Sequence, residues 1–323
     1  MSITRRVFCG AFAVAALAAT LNAAAQAYPA KPVRYIVPFP PGGATDIMAR
    51  NVAQKLSDVF KQPVVVDNRP GGSAMIGADM AAKSPADGYT WLAMTLTHAS
   101  NVTLFPQAQY NLLKDFAAVS VLGAMPLVVV VHPDSPVKSL SELTALGRSR
   151  QLLAGSSGNG TPPHLGLELY RVLTKVGLQH VPYKGGTETF TALISGEVQV
   201  LLVPPPAAIP YVKSGRLRAI GFTGSKRHPI LPEVPTLAES GVADYVIDFT
   251  WHGWFAPAKT PLEIVRRLQL EARKALQAPA MRALMESSGF EAVANTPEEF
   301  KIFVQTEMKR YAEIVRAANV VAE

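Results

Sequence analysis

One arrangement repeats along this chain and limits what it can fold into: a short apolar run halts at proline and glycine, then gives way to an amphipathic helical pattern. "VRYIV" (Val33 to Val37) runs into "PFPPGGATD". Pro38, Pro40 and Pro41 lack backbone donors, so the run cannot continue as paired strand. Gly42 and Gly43 lower the cost of positive φ and allow close approach to the main chain. Beyond them Ile47, Met48, Val52, Leu56 and Val59 fall on one side of a helix expected from about Asp46 to Phe60. "PVVVD" (Pro63 to Asp67) and "TWLAM" (Thr90 to Met94) read as strands, and "AMIGADMAAKS" between them as a short helix. Strands alternating with helices predict a parallel sheet covered by helices.

After Asp115 the rhythm changes. "FAAVSVLGAMPLVVVVHP" is long enough to cross between two lobes, and a second alternating unit follows it. That unit comprises "QLLAG", a helix from Thr161 to Val176, "QHVPY", a helix from Thr187 to Ser195, "VQVLLV", another helix and "LRAIGF". "YVIDFTWHGWFAPA" (Tyr245 to Ala258) reads as the return crossing, and the remainder is helical. Thr260-Pro261-Leu262-Glu263 and Thr296-Pro297-Glu298-Glu299 both match a capping box with proline at the first helical position. Gly289 sits where a helix C-terminus calls for it. The expected architecture is therefore α/β and two-lobed. Lobe 1 is 28–126 plus 254–323, lobe 2 is 127–253, and two crossing strands join them around a cleft. Such clefts commonly hold ligands, and hinge closure is their usual motion.

Residues 1–27 read as a secretory signal: basic Arg5 and Arg6, an apolar middle, and Ala25-Gln26-Ala27 before the cleavage site. "TRRVF" leaves both general and twin-arginine export open. Cleavage would remove Cys9, the only cysteine, leaving 296 residues with no disulfide and no thiol ligand. Stability must then come from a core, which 49% hydrophobic residues can supply. Loss of Arg5 and Arg6 takes the formal charge from +7 to +5, enough to steer small anions. No Lys/Arg cluster interleaved with aromatics suggests nucleic acid. The histidines (His98, His132, His164, His180, His228, His252) form no metal-ligand spacing, and no cofactor is expected.

Two loops carry the chemistry. In an α/β lobe, ligands meet the loops at the carboxyl ends of strands. Gly42, Gly43, Ala44 and Thr45 lie at the mouth of a helix, whose free N–H groups suit a carboxylate or phosphate. Asp46 is placed to cap the helix or brace the loop. "AGSSGNGTPPHL" (Ala154 to Leu165) repeats the design in the other lobe, with Ser156, Ser157, Asn159 and Thr161 adding side-chain donors. Two anion-ready helix mouths, one per lobe, fit a ligand with polar ends clamped between them. Neither loop suits a nucleotide: "GNGTPP" has proline where G-x-G-x-x-G needs glycine, and no G-x-x-x-x-G-K-[ST] occurs. "GSSGNG" also misses the G-x-S-x-G spacing of a hydrolase elbow. A serine hydrolase using Ser156 or Ser157, with His164 as base, stays open as the alternative reading. A structural protein that binds no small molecule is a third.

Taken together, "YPAKPVRYIVPFPPGGATDIMAR", "QPVVVDNRPGG", "SPADGYT", "SSGNGTPPHL", "HVPYKGG", "LPEVPTLAESG" and "WFAPAKTP", in that order, span the mature chain. It resembles the Bug-type extracytoplasmic solute receptors of tripartite tricarboxylate transporters. The resemblance implies a periplasmic-binding fold of the second (Venus-flytrap) type that closes on a small ligand, often a carboxylate, with ordered water at one carboxylate or carbonyl end. It implies a site lined by Phe39, Pro41, Gly42, Ala44 and Asp46 from the first loop, and by Ser156, Ser157, Asn159, Gly160, Thr161 and His164 from the second. Thr97 and Gly185 are further wall positions, with Lys184 either a cation at the site or a surface residue. Implied partners are an inner-membrane permease or the periplasmic domain of a sensor kinase; a monomer is the default expectation for the chain itself.

One departure bears on specificity. Where similar receptors carry an aspartate-containing stretch like "FDN", this chain has Val203-Pro204-Pro205-Pro206. Pro204 and Trp251, with Phe249 nearby, are accordingly expected to shape an apolar distal pocket for an aliphatic or aromatic acid. Trp251 as hinge core is the competing expectation.

Overall fold

A computed structural model describes residues 28–245, 247 and 250–321. The expected leader and Phe249 lie outside these residues. The first sheet has the order β11-β4-β10-β3-β1-β2. Its strands are β1 (Val33–Val37), β2 (Val64–Asn68), β3 (Thr90–Thr95), β4 (Phe116–Met125), β10 (Thr250–Pro257) and the short β11 (Glu291–Ala292). The second sheet has the order β7-β6-β8-β5-β9. It is built from β5 (Val128–Val131), β6 (Leu152–Ser156), β7 (Leu178–Pro182), β8 (Val200–Val203) and β9 (Arg218–Phe222). β1 pairs in parallel with β2 and β3, as does β6 with β7 and β8. β10 runs antiparallel between β3 and β4, and β5 antiparallel between β8 and β9.

Ten helices cover these sheets among the described residues: α1 (Ala44–Phe60), α2 (Met75–Ala82), α3 (Leu96–Leu104), α4 (Leu140–Ser149), α5 (Pro162–Thr174), α6 (Gly186–Ile194), α7 (Pro205–Lys213), α8 (Leu262–Gln277), α9 (Pro279–Ser287) and α10 (Pro297–Ala317). The apolar stripe of α1 (Met48, Val52, Leu56) is buried against the sheet that carries Tyr35, Trp91 and Trp254. Trp91 and Trp254 meet edge to face at 4.5 Å. Each fully buried side chain of this size contributes roughly 1.5–3 kcal/mol by leaving water.

The chain first passes between the sheets after Met125. β4 lies in one sheet and β5 in the other, with Pro126 and Leu127 at the joint. The return differs: Thr250 to Gly253, expected in lobe 2, pair with β3 and β4 of the first sheet. The chain has therefore re-entered the first sheet by Thr250. The two expected capping boxes also part company. Thr296 and Glu299 form a complete box at the start of α10. The N-cap of α8 is instead Pro261, without a side-chain cap, and the hydroxyl of Thr260 has no protein partner.

The lobes touch at several points. Arg171 of α5 donates to the carbonyl of Ala318, just beyond α10, at 3.0 Å. Lys226 pairs with Glu291 at 3.0 Å. Ser100 of α3 lies 2.8 Å from the carbonyl of Gly160. A cleft remains between the sheets.

Candidate functional site

A cavity of about 450 Å³ lies between the lobes. Its first wall is the loop from Phe39 into α1. The first helical bond there runs from the Ile47 N–H to the carbonyl of Gly43 at 3.0 Å, so the amides of Ala44, Thr45 and Asp46 have no acceptor within the helix. Such amides, at the positive end of the helix dipole, favour an anion. Asp46 holds the loop from behind. Its carboxylate accepts from the Gly42 N–H, from Arg50 Nε and from Asn68 Nδ2, each at 2.9 Å. The same Asn68 amide donates to the Phe39 carbonyl at 3.1 Å. Burial pushes the Asp46 carboxyl upward, but these hydrogen bonds outweigh it and hold it below the usual carboxylate range.

The second wall departs from the expected design. Ser157, Thr161, Pro162 and Pro163 line the cavity. However, α5 starts with two prolines, which bring no N–H to its first turn. The Thr161 hydroxyl is already spent on the Gly158 carbonyl at 2.6 Å. Further free amides on this side come from α6, whose mouth (Gly185, Gly186, Thr187) also lines the cavity. "YKGGTE" carries the same glycine-pair signal as the first loop, and it is the signal by which Gly186 and Thr187 could have been found.

A third wall is apolar. Val203, Pro204, Pro206 and Ala207 stand with Phe190 and Tyr211, whose rings stack at 4.8 Å. Here α7 again opens with prolines, so this helix mouth offers shape rather than donors. Thr95, Thr250 and His252, from the paired strands β3 and β10, line the cavity on the side of the first sheet. Burial pushes the His252 imidazole down to about 3, so it is neutral near pH 7.

A family profile described as "Tripartite tricarboxylate transporter family receptor" matches residues 48–320. The chain belongs to that family. It is similar to Protein BugT of Bordetella pertussis, with 37% identity covering 94% of each chain. The Rhodopseudomonas palustris structure "Rpa4515 with adipate" superposes with a TM-score of 0.88 at 34% identity, covering 91% of this chain and 99% of that one. "MatC (Rpa3494)" from the same organism, "with bound malate", gives 0.83 at 29% identity, covering 89% of this chain and all of that one. The fold is thus the two-sheet α/β architecture of periplasmic binding proteins of this family, and the protein is a Bug-type receptor.

Within this receptor, Phe39, Pro41, Gly42, Ala44, Ser157, Thr161, Gly185 and Pro204 line the cavity, and so does Lys184. Other expected positions are absent from the lining. Thr97 is buried in the first turn of α3, its N–H on the Thr95 hydroxyl. Gly160 faces α3, and its N–H donates to His164 Nδ1 at 3.1 Å, with Asn159 beside it in the same turn. His164 stacks on His180 at 3.7 Å. Ser156 is 0% exposed, with its hydroxyl 2.5 Å from His180 Nε2. Ser156, Gly160 and His164 are thus engaged within the loop and the packing beneath it.

Trp251 is fully buried against Phe300 and Phe303, its indole N–H on Glu307 at 3.1 Å. That is core packing. The strand neighbours Thr250 and His252 face the cavity in its place.

Proposed function

We propose that this protein captures a small organic carboxylate in the inter-lobe cleft and, once closed around it, is recognised by an inner-membrane permease or by the outer domain of a sensor kinase. The observation that carries this reading is the convergence of two sets of free amides, at Ala44 and Thr45 and at Gly186 and Thr187, on one cavity. A charge-assisted hydrogen bond to such a group contributes roughly 1.5–3 kcal/mol. A few of them with apolar contact reach the ~8 kcal/mol of a micromolar complex. Adipate and malate in the related structures support the same class of ligand, and the apolar third wall suits an aliphatic or aromatic body.

Under this reading the protein works as a monomer in the periplasm, exported by the leader at residues 1–27. The lobes, 28–126 with the chain from Thr250 onward against the stretch between, close as rigid units. Closure carries a signal because the ligand binds the closed form better than the open one. The reading assigns it no chemistry on its guest, in keeping with a Ser156 hydroxyl that is buried against His180. A thermal-shift and calorimetric screen of mono- and dicarboxylates, aromatic acids and their amides tests the reading. Acids should raise the melting temperature where the matched amides do not. No shift with any acid, or turnover of an ester panel lost in Ser157→Ala, would overturn it.

A further inference from the structure

The cavity presents polar groups that the carboxylate end of a ligand does not use. Both ring nitrogens of His252 and the hydroxyl of Thr250 have no protein partner, although the residues are only 4% and 2% exposed. Both line the cavity. Strand alternation puts residues 250 and 252 on one face of β10, with Trp251 on the other. Thr95, opposite His252 in the sheet, has its hydroxyl engaged by the Thr97 N–H at 3.2 Å. Lys184 is the one basic residue among the described lining residues. It belongs to the mouth of α6, where its own N–H is held by Glu188. Burial is the one influence identified on the His252 imidazole, with no charged neighbour among its causes.

A neutral imidazole offers one donor and one acceptor, and a threonine hydroxyl can act as either. A carboxylate only accepts, and would leave the bare ring nitrogen unmatched. A hydroxyl or carboxamide satisfies both sides. We infer that the guest carries, away from its carboxylate, a neutral group that both donates and accepts hydrogen bonds, received by His252 and Thr250. This rests on the carboxylate-receptor reading above and narrows its ligand class to hydroxy or carbamoyl acids. The burial that keeps the imidazole uncharged agrees with a neutral partner.

Calorimetric titration of the purified protein with two matched series tests it: hexanoate, its ω-hydroxy analogue and adipate; benzoate, para-hydroxybenzoate and terephthalate. In at least one series the hydroxy acid should bind about tenfold tighter than its plain parent, the size of one good hydrogen bond. That ratio should fall toward one in His252→Phe and in the near-isosteric Thr250→Val, which covers a folding failure of the first. Nitrogen-detected NMR should show the His252 ring neutral in the complex. A hydroxy acid no tighter than its parent in either series, a ratio unchanged in both variants, or an imidazolium signature with adipate or terephthalate bound tightest would each overturn the inference. Binding of hexanoate or benzoate without a hydroxyl gain sinks this inference alone. Failure of every acid to bind sinks the receptor reading with it.

Discussion

The Ser100 hydroxyl lies 2.8 Å from the carbonyl of Gly160, so a helix of the first lobe holds the turn that leads into α5 of the second. The same oxygen is 2.9 Å from the Thr97 carbonyl, and its one proton is shared between them. Ser100→Ala leaves the buried Gly160 carbonyl without this donor, at a cost of about 1–3 kcal/mol. If the contact belongs to the closed form alone, ligand affinity should drop by at least fivefold while the denaturant midpoint of the ligand-free protein hardly moves. Calorimetry and chemical denaturation together check this.

Gly185 offers a complementary test at the mouth of the cleft. A Cβ placed there would lie 3.3 Å from Pro40 Cγ, which belongs to the other lobe. Its φ of 172° is extended backbone open to any residue, so a larger side chain should fold. Gly185→Leu is expected to keep the melting temperature within a few degrees, weaken ligand binding about tenfold or more, and hold the lobes apart. Small-angle scattering with and without ligand reads the last point: the variant should fail to contract.

The brace at Asp46 has a pH signature. Its carboxyl is held below the usual range in the folded protein, so the stability it contributes is present above the unfolded value, near 3.8. That stability is lost as pH falls through the lower folded value. Asp67, paired with Arg34 and Arg69, behaves in the same sense. Subtracting the melting profile of Asp46→Asn from that of the native protein isolates Asp46. The difference should be largest near neutral pH and shrink below about pH 4.

The buried histidines act over a higher window. Burial pushes His98 and His180 down to about 4 and His164 to about 3. For His164 the neighbouring His180 imidazole acts in the same direction as burial, within that value. Each stays neutral in the fold while the unfolded chain takes up a proton below about 6.5. Stability is therefore complete above that pH and falls toward pH 4, by about 1.4 kcal/mol per pH unit for each histidine fully titrating in the unfolded chain. His180→Phe, which can keep the stack on His164, should flatten the slope by one proton. Urea titrations across this range measure it.

Trp251→Phe separates packing from binding. It removes the indole N–H from Glu307 and should destabilise the protein by about 1–3 kcal/mol. Affinity for any ligand should stay within a factor of two, since Trp251 faces α10 and not the cleft. A tenfold affinity change at unaltered stability would return Trp251 to the site.

Much of the architecture could be read from period and punctuation. Val33–Val37, Leu152–Ser156 and Val200–Val203 are apolar runs cut off by proline or glycine, and each becomes a strand feeding a helix. The site was less legible, for local reasons. At Thr161 the loop resembles an anion-binding mouth, but the prolines that mark the helix start also remove its donors. Aromatic bulk drew attention to Trp251, whereas strand parity gives the cleft to residues 250 and 252. Whether a serine such as Ser156 turns inward depends on what packs beneath it, here His180, which sits two dozen residues away in sequence.

The placement of β10 has a consequence for how the protein is made. The strand at the centre of the first sheet is contributed by residues 250–257, long after its neighbours β3 and β4 have been synthesised. Until it arrives, those two strands expose unpaired backbone edges and the first lobe has no finished interior. The second sheet, drawn from one continuous stretch of chain, has no such wait. The first lobe is thus completed only by the younger half of the polypeptide, and a chain that stops short of residue 257 lacks the keystone of its own beginning.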